Sequence, residues 1–166
     1  IIDDIGSISP ETTVRSTHLE FNDPWDLEEV YGALHDFARD QKFDTARETV
    51  PQPIVEDGSG AEIGIVAYGS TDAAVAETRH ILEHEHGVKT AYLRLRALPA
   101  GKTVQEFCGS YKKILIVEQN RDAQVASILK SEYPELAPRF ISVLHYNGLP
   151  IDAYSLVGKI LPHAAK

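Results

Sequence analysis

Methionine is absent from all 166 residues, and cysteine occurs once, as Cys108. A lone cysteine excludes an internal disulfide. It also excludes a self-contained iron–sulfur cluster or thiolate zinc site, since each needs several thiolate ligands. Apolar runs fall well short of the ~20 residues that cross a bilayer. The N-terminal Ile1-Ile2-Asp3-Asp4 has neither the basic nor the apolar part of a signal peptide. The expectation is a cytoplasmic protein with no membrane partner. With no initiator methionine, the expectation is a fragment, a processed product or a sequence that has lost residues, with the fragment as the leading reading. Basic residues are also scarce. The 16 Lys and Arg against 25 Asp and Glu give a net charge of −9, so a protein that coats nucleic acid or anionic lipid is not expected. What is present, 43% apolar residues over a length suited to one domain, is enough for a real core.

The charge is unevenly placed. Residues 1–57 hold 14 acidic and 4 basic residues, a net of −10, whereas residues 58–166 hold 11 and 12, a net of +1. For the second segment the case against nucleic acid therefore reduces to the lack of a visible basic patch. The pattern divides at the same place. Residues 1–25 carry Gly6, Pro10 and Pro24 with no sustained period and read as an irregular arm. Asp23-Pro24 followed by Asp26, Glu28 and Glu29 is a helix start. Leu27, Val30, Tyr31, Leu34, Phe37 and Ala38 then recur at helical spacing, which predicts an amphipathic connecting helix over about 25–47. Pro51, Pro53, Gly58 and Gly60 mark a linker.

From Glu62 the chain alternates strand and helix. Strands are predicted at 63–68, 88–95, 113–118 and 140–144. Helices are predicted after Ser70-Thr71-Asp72 as far as Gly87, over 103–107, over 122–131 and over 150–161, the last opening on Pro150. This is an α/β domain at 58–166, an open and mostly parallel sheet of four to five strands with helices on both faces.

Ligand sites in such sheets lie at the carboxyl ends of the strands. Tyr68-Gly69-Ser70-Thr71 stands there. Its backbone N–H groups could hold an anion, or Gly69 simply turns the chain while Ser70 or Thr71 caps the helix. No glycine-rich dinucleotide or phosphate-loop motif is present. Glu118-Gln119-Asn120-Arg121-Asp122 follows the third strand. Asp122 suffices as a cap, which leaves Glu118, Asn120 and Arg121 either to bind something or to tie loops together. In the second strand Tyr92, Arg94 and Arg96 alternate with leucines. This is either a sheet edge with a solvated face or an arginine face for acidic groups of a partner. His80, His84 and His86 fall on the polar side of a helix and read as solvated surface. Cys108 reads as buried packing. His145 and Tyr146 end the fourth strand at an interface or site edge. No catalytic residue and no metal ligand set emerges.

Four ordered blocks carry a family likeness: Val66-Ala67-Tyr68-Gly69-Ser70-Thr71, Tyr92-Leu93-Arg94-Leu95-Arg96-Ala97-Leu98-Pro99, Ile116 through Gln124, and Leu144-His145-Tyr146-Asn147-Gly148-Leu149-Pro150. Together they resemble the C-terminal, transketolase C-terminal-like part of the α subunit of 2-oxoacid:ferredoxin oxidoreductases, most like the 2-oxoglutarate type. Ala123 stands where that family often has glycine. Ile8-Ser9-Pro10 and Ser16 through Glu20 resemble the tail of a preceding pyrimidine-binding domain. The resemblance implies a parent enzyme that oxidatively decarboxylates a 2-oxoacid to an acyl-CoA and reduces ferredoxin. It implies thiamine diphosphate, Mg²⁺, an iron–sulfur cluster and coenzyme A in the complex, none of them held by this chain. It implies the β subunit and the remaining α/γ domains as partners. Tyr68, Gly69, Ser70, Arg94, Arg96, Glu118, Asn120, Arg121 and His145 are then candidates for binding or inter-domain contact. The alternatives are a free-standing small-molecule or nucleotide-binding α/β module, or the equivalent domain of another thiamine diphosphate enzyme.

Overall fold

A computed structural model describes residues 24–164. The arm expected over residues 1–23, with Asp23 as helix cap, lies outside the described residues. The chain divides into two compact units, residues 1–44 and 45–166. Helix α1, Pro24–Thr49, spans the boundary. On its first-unit portion Leu34, Phe37 and Phe43 are exposed.

The second unit is built on one five-stranded sheet in the order β1-β3-β2-β4-β5. The strands are β1 (Ile54–Glu56), β2 (Ile63–Tyr68), β3 (Thr90–Leu95), β4 (Lys113–Glu118) and β5 (Phe140–Leu144). Strands β2 to β5 are parallel, and β1 runs antiparallel to β3. The sheet thus begins inside the segment read as a linker, before residue 58. The helices between strands are α2 (Thr71–His86), α3 (Lys102–Ser110), α4 (Gln124–Glu132) and α5 (Ala153–Ala164).

Successive strand residues point to opposite faces, and the core follows that alternation. Ile65, Ala67, Tyr92, Leu115, Val117 and Val143 pack under Val75 and Leu82 of α2 and Leu156 and Ile160 of α5. Val66, Leu93, Ile114, Ile116 and Phe140 pack under Val104 and Phe107 of α3 and Leu129 of α4. Cys108 is fully buried in the second cluster, and burial pushes its thiol up to about 12. Gly64 lies where a Cβ would come within 2.8 Å of Ile114 Cδ1. It would also come within 3.0 Å of Phe107 Cε1, so the missing side chain lets α3 sit close on the sheet.

Two predicted starts shift. Helix α5 opens after Asp152, not at Pro150. Asp152 accepts the Ser155 N–H at 2.8 Å and the Ser155 hydroxyl at 2.5 Å, and these bonds hold its carboxyl below the usual range. Helix α4 opens at Gln124, and Asp122 is not its cap. No helix among the described residues is long and apolar enough to cross a membrane.

Candidate functional site

The strand order fixes where a site can sit. From β2 the chain crosses through α2 to β3 on one side, and from β4 it crosses through α4 to β5 on the other. The connections leave in opposite directions between β2 and β4, which makes the carboxyl ends of these two strands the switch point of the sheet. The sequence placed both of its polar segments here, and the fold brings them together.

After β4, Glu118 is completely buried. Its carboxylate accepts the backbone N–H of Val125 at 2.8 Å and of Ala126 at 3.0 Å. It also accepts the Asn120 amide at 2.8 Å. Val125 and Ala126 are the second and third residues of α4, so Glu118 takes two of the helix's free donors. Asn120 Oδ1 accepts the Gln124 N–H at 3.3 Å, a third donor, and the Asp122 N–H at 3.1 Å. The amide nitrogen of Asn120 reaches Tyr68 Oη at 3.3 Å. The positive end of the α4 dipole, where an anion would bind, is therefore filled by a carboxylate of the chain itself. The turn needs one left-handed residue, and this is Ala123, at φ 50° and ψ 49°.

After β2 the arrangement differs. Gly69 takes φ +60° to turn the chain. Ser70 occupies the cap position of α2, but its side chain makes no capping bond. Gln119 Nε2 instead donates to Ser70 Oγ at 3.2 Å and to Thr71 Oγ1 at 3.1 Å. Asp72, in the first turn of α2, accepts the Tyr92 hydroxyl at 2.8 Å and pairs with Arg94 at 3.1 Å. Burial, then the bond to Asp72, raises the Tyr92 phenol above its ordinary value.

Strand β3 is accordingly neither a sheet edge nor an open arginine face. β1 covers its outer side, and the acid that meets Arg94 is Asp72 of the same domain. Arg96 is exposed and reaches Gln52 O at 3.4 Å. Arg121 is exposed and pairs with its neighbour Asp122 at 2.7 Å. His145, at the end of β5, is buried. Its Nε2 faces Leu149 O at 3.0 Å, and its Nδ1 is buried with no partner among the described residues. Tyr68, Gly69, Ser70, Glu118 and Asn120 thus converge, while the side chains of Arg94, Arg96, Arg121 and His145 bond elsewhere. Sequence reasoning missed Gln119, the side chain that links the two turns. Its signal was its position, directly after a strand in an all-polar run. His80, His84 and His86 are exposed on α2, with the first two rings stacked at 4.0 Å.

Comparison with known proteins divides the chain. Residues 1–61 match a family model described as regulator of RNA terminal phosphate cyclase. A stretch of 45 residues, 27% of this chain and 8% of the relative, is 56% identical to the transcriptional regulatory protein RtcR of Escherichia coli. The N-terminal segment is thus similar to a regulator, beside the resemblance of Ile8-Ser9-Pro10 and Ser16 through Glu20 to the tail of a pyrimidine-binding domain. A longer stretch of 129 residues is 28% identical to the α subunit of 2-oxoacid:ferredoxin oxidoreductase 2 of Aeropyrum pernix. It covers 75% of this chain and 20% of that subunit, so the chain spans about a fifth of the relative's length. Among solved structures, the 2-oxoglutarate:ferredoxin oxidoreductase of Magnetococcus marinus matches with a TM-score of 0.67 at 22% identity, over 87% of this chain and 24% of that one. A split-gene transketolase matches with a TM-score of 0.56 at 18% identity, over 67% and 40%. Over most of its length the chain is similar to one part of the α subunit of 2-oxoacid:ferredoxin oxidoreductases and has a transketolase-like α/β fold, while its first 61 residues are similar to an RtcR-type regulator.

Proposed function

We propose that the α/β unit serves as an assembly domain of the α subunit of a cytoplasmic 2-oxoacid:ferredoxin oxidoreductase, packing against the β subunit and the remaining domains. The parent reaction is oxidative decarboxylation of a 2-oxoacid, 2-oxoglutarate by preference, to an acyl-CoA with reduction of ferredoxin. One observation carries the reading: the sheet's switch point is closed from within. Glu118 fills the N-terminus of α4, and the first turn of α2 carries Asp72. Neither end fits a pyrophosphate. Cys108, single and buried, does not fit a cluster. Thiamine diphosphate, Mg²⁺, the cluster and coenzyme A are therefore assigned to other domains, and no chemical step is assigned to this one. Tyr68, Gly69, Ser70, Glu118 and Asn120 hold the domain's shape, as does the buried His145, and the exposed Arg96 and Arg121 are available for inter-domain contact.

The test is calorimetry of the whole chain with thiamine diphosphate, coenzyme A and inorganic phosphate, joined to size-exclusion chromatography with the β subunit. The expected result is co-elution with the β subunit and no saturable heat from the small molecules. Micromolar binding of any of the three without co-elution would establish a free-standing ligand module instead.

A second reading rests on the match of residues 1–61. Here the α/β unit is joined to part of a transcriptional regulator and no longer serves an oxidoreductase. Amplifying and sequencing the source DNA across the join of the two likenesses tests it. One uninterrupted reading frame is expected of a fusion.

A further inference from the structure

Among the described residues the sheet has two unpaired edges, β1 and β5, and they are built differently. β1 is three residues long, follows Pro53 and ends on Glu56, which Arg79 of α2 holds. Shortness, an adjoining proline and a charge are the usual means of blunting an edge. β5, Phe140-Ile141-Ser142-Val143-Leu144, contains neither proline nor charge and pairs with β4 alone.

Two bonds show which backbone groups of β5 face outward. The His145 N–H donates inward to Glu118 O at 2.9 Å. Leu144 O accepts Lys159 Nζ at 2.6 Å from the opposite side. Within a strand the N–H and C=O of one residue share a side, and the side alternates along the chain. Ser142 therefore faces outward with Leu144, and Val143 faces β4. Among the described residues, the N–H groups of Ser142 and Leu144 and the carbonyl of Ser142 have no strand partner.

Beside them lies an open depression of about 210 Å³ lined by Ser142, Val143, Leu144, Lys159 and His163. Lys159 is exposed, and its ammonium is met by a carbonyl, not a carboxylate. Lys113 likewise donates to His163 O at 2.7 Å. The edge is thus bordered by one cation, Lys159, whose charge is not neutralised by the carbonyl it bonds.

We infer that the β5 edge takes an extended acidic segment of another polypeptide as an added strand. Ser142 and Leu144 supply the backbone bonds, and Lys159 meets a carboxylate of the incoming strand. Strand addition draws affinity from main-chain bonds and selectivity from the side chains beside the edge. A second copy of this chain is the poorer occupant, because joining two identical edges sets one Lys159 border against another, and like charges are disfavoured.

The experiment is an NMR titration of the ¹⁵N-labelled whole chain with an end-capped Val-Glu-Val-Glu-Val peptide and, separately, with Val-Lys-Val-Lys-Val. The acidic peptide should saturate shifts of the Ser142 and Leu144 amides. Lys159→Glu should weaken that binding about tenfold or more. Ser142→Pro, which removes an outward donor and leaves the β4 ladder intact, should abolish it. If the proline variant does not fold, Lys159→Glu still decides. Three results would overturn the inference: no saturable shift, equal binding of the lysine peptide, or shifts at these amides that track the chain's own concentration.

Discussion

The turns after β2 and β4 stand side by side at the switch point and each delivers a helix, yet they solve the same problem differently. In the first, Gly69 supplies the left-handed residue and the cap position carries a serine that does not cap. In the second, an alanine is held left-handed and a carboxylate buried at the strand's end satisfies the helix from below. The first turn relies on backbone freedom and partly exposed polar contacts. The second relies on a buried charge with three donors. The lesson is that a run of polar residues at the end of a parallel strand can be wholly absorbed by the fold. Chemical function is then better sought in what the fold leaves unpaired.

The sharpest way to break the comparison is to remove one anchor from each turn. Glu118→Ala leaves three donors unmet in a dry site and should cost about 3 kcal/mol or more. Ser70→Ala removes a hydroxyl that caps nothing and should cost no more than about 0.5 kcal/mol. Urea denaturation of both variants measures the contrast. Equal losses would mean that the two turns are held alike after all.

How much of this was legible beforehand differs between the same two turns. The parallel strands were plain in their apolar runs, and β2, β4 and β5 begin and end where those runs do. Strand β1 was hidden because Ile54-Val55-Glu56 is too short for a period and sits among prolines and glycines that signal a linker. That omission made β3 look like an edge and its arginines look unpartnered. The partner, Asp72, lies on α2 and reaches Arg94 only through the crossover. The sequence offered Glu118 as a ligand candidate because no linear rule says which residue caps a helix from six positions away. Asp122, the local candidate, is taken up by Arg121. The family likeness of the sheet was carried by four ordered blocks, whereas the arm's likeness rested on short, common fragments, and residues 1–61 also match the regulator family model.

The next effect is smaller and belongs to the first turn. Arg94→Ala removes the ion pair to Asp72, whose side chains are 40% and 35% exposed. An exposed pair of this kind is worth about 0.5–1 kcal/mol and weakens with salt. The loss should shrink when unfolding is repeated at high ionic strength. A loss as large as that of Glu118→Ala would mean that the pair anchors the turn as the buried carboxylate does, and the distinction between the turns would fail.

Ala123 sharpens the comparison from the other side. A left-handed alanine is strained by about 1 kcal/mol, and glycine relieves this while adding freedom to the unfolded chain. Ala123→Gly should therefore stabilise by about 0.5 kcal/mol, visible as a small rise in the denaturation midpoint. Gly69→Ala imposes the same strain on the first turn and should lower it.

The smallest effect is a pH dependence outside both turns, at the start of α5. Hydrogen bonds from Ser155 depress the Asp152 carboxyl in the folded state. A depressed carboxyl contributes stability that is present above its unfolded value of about 4 and fades as the pH falls through its folded value. Asp152→Asn cannot lose a charge in that window. Its unfolding midpoint should therefore fall less steeply than that of the parent as the pH is taken down through the carboxylate range, while the two slopes coincide near neutrality. A parent and an Asp152→Asn variant with parallel acid limbs would show that the Ser155 bonds hold the helix start in place without making it sensitive to protons.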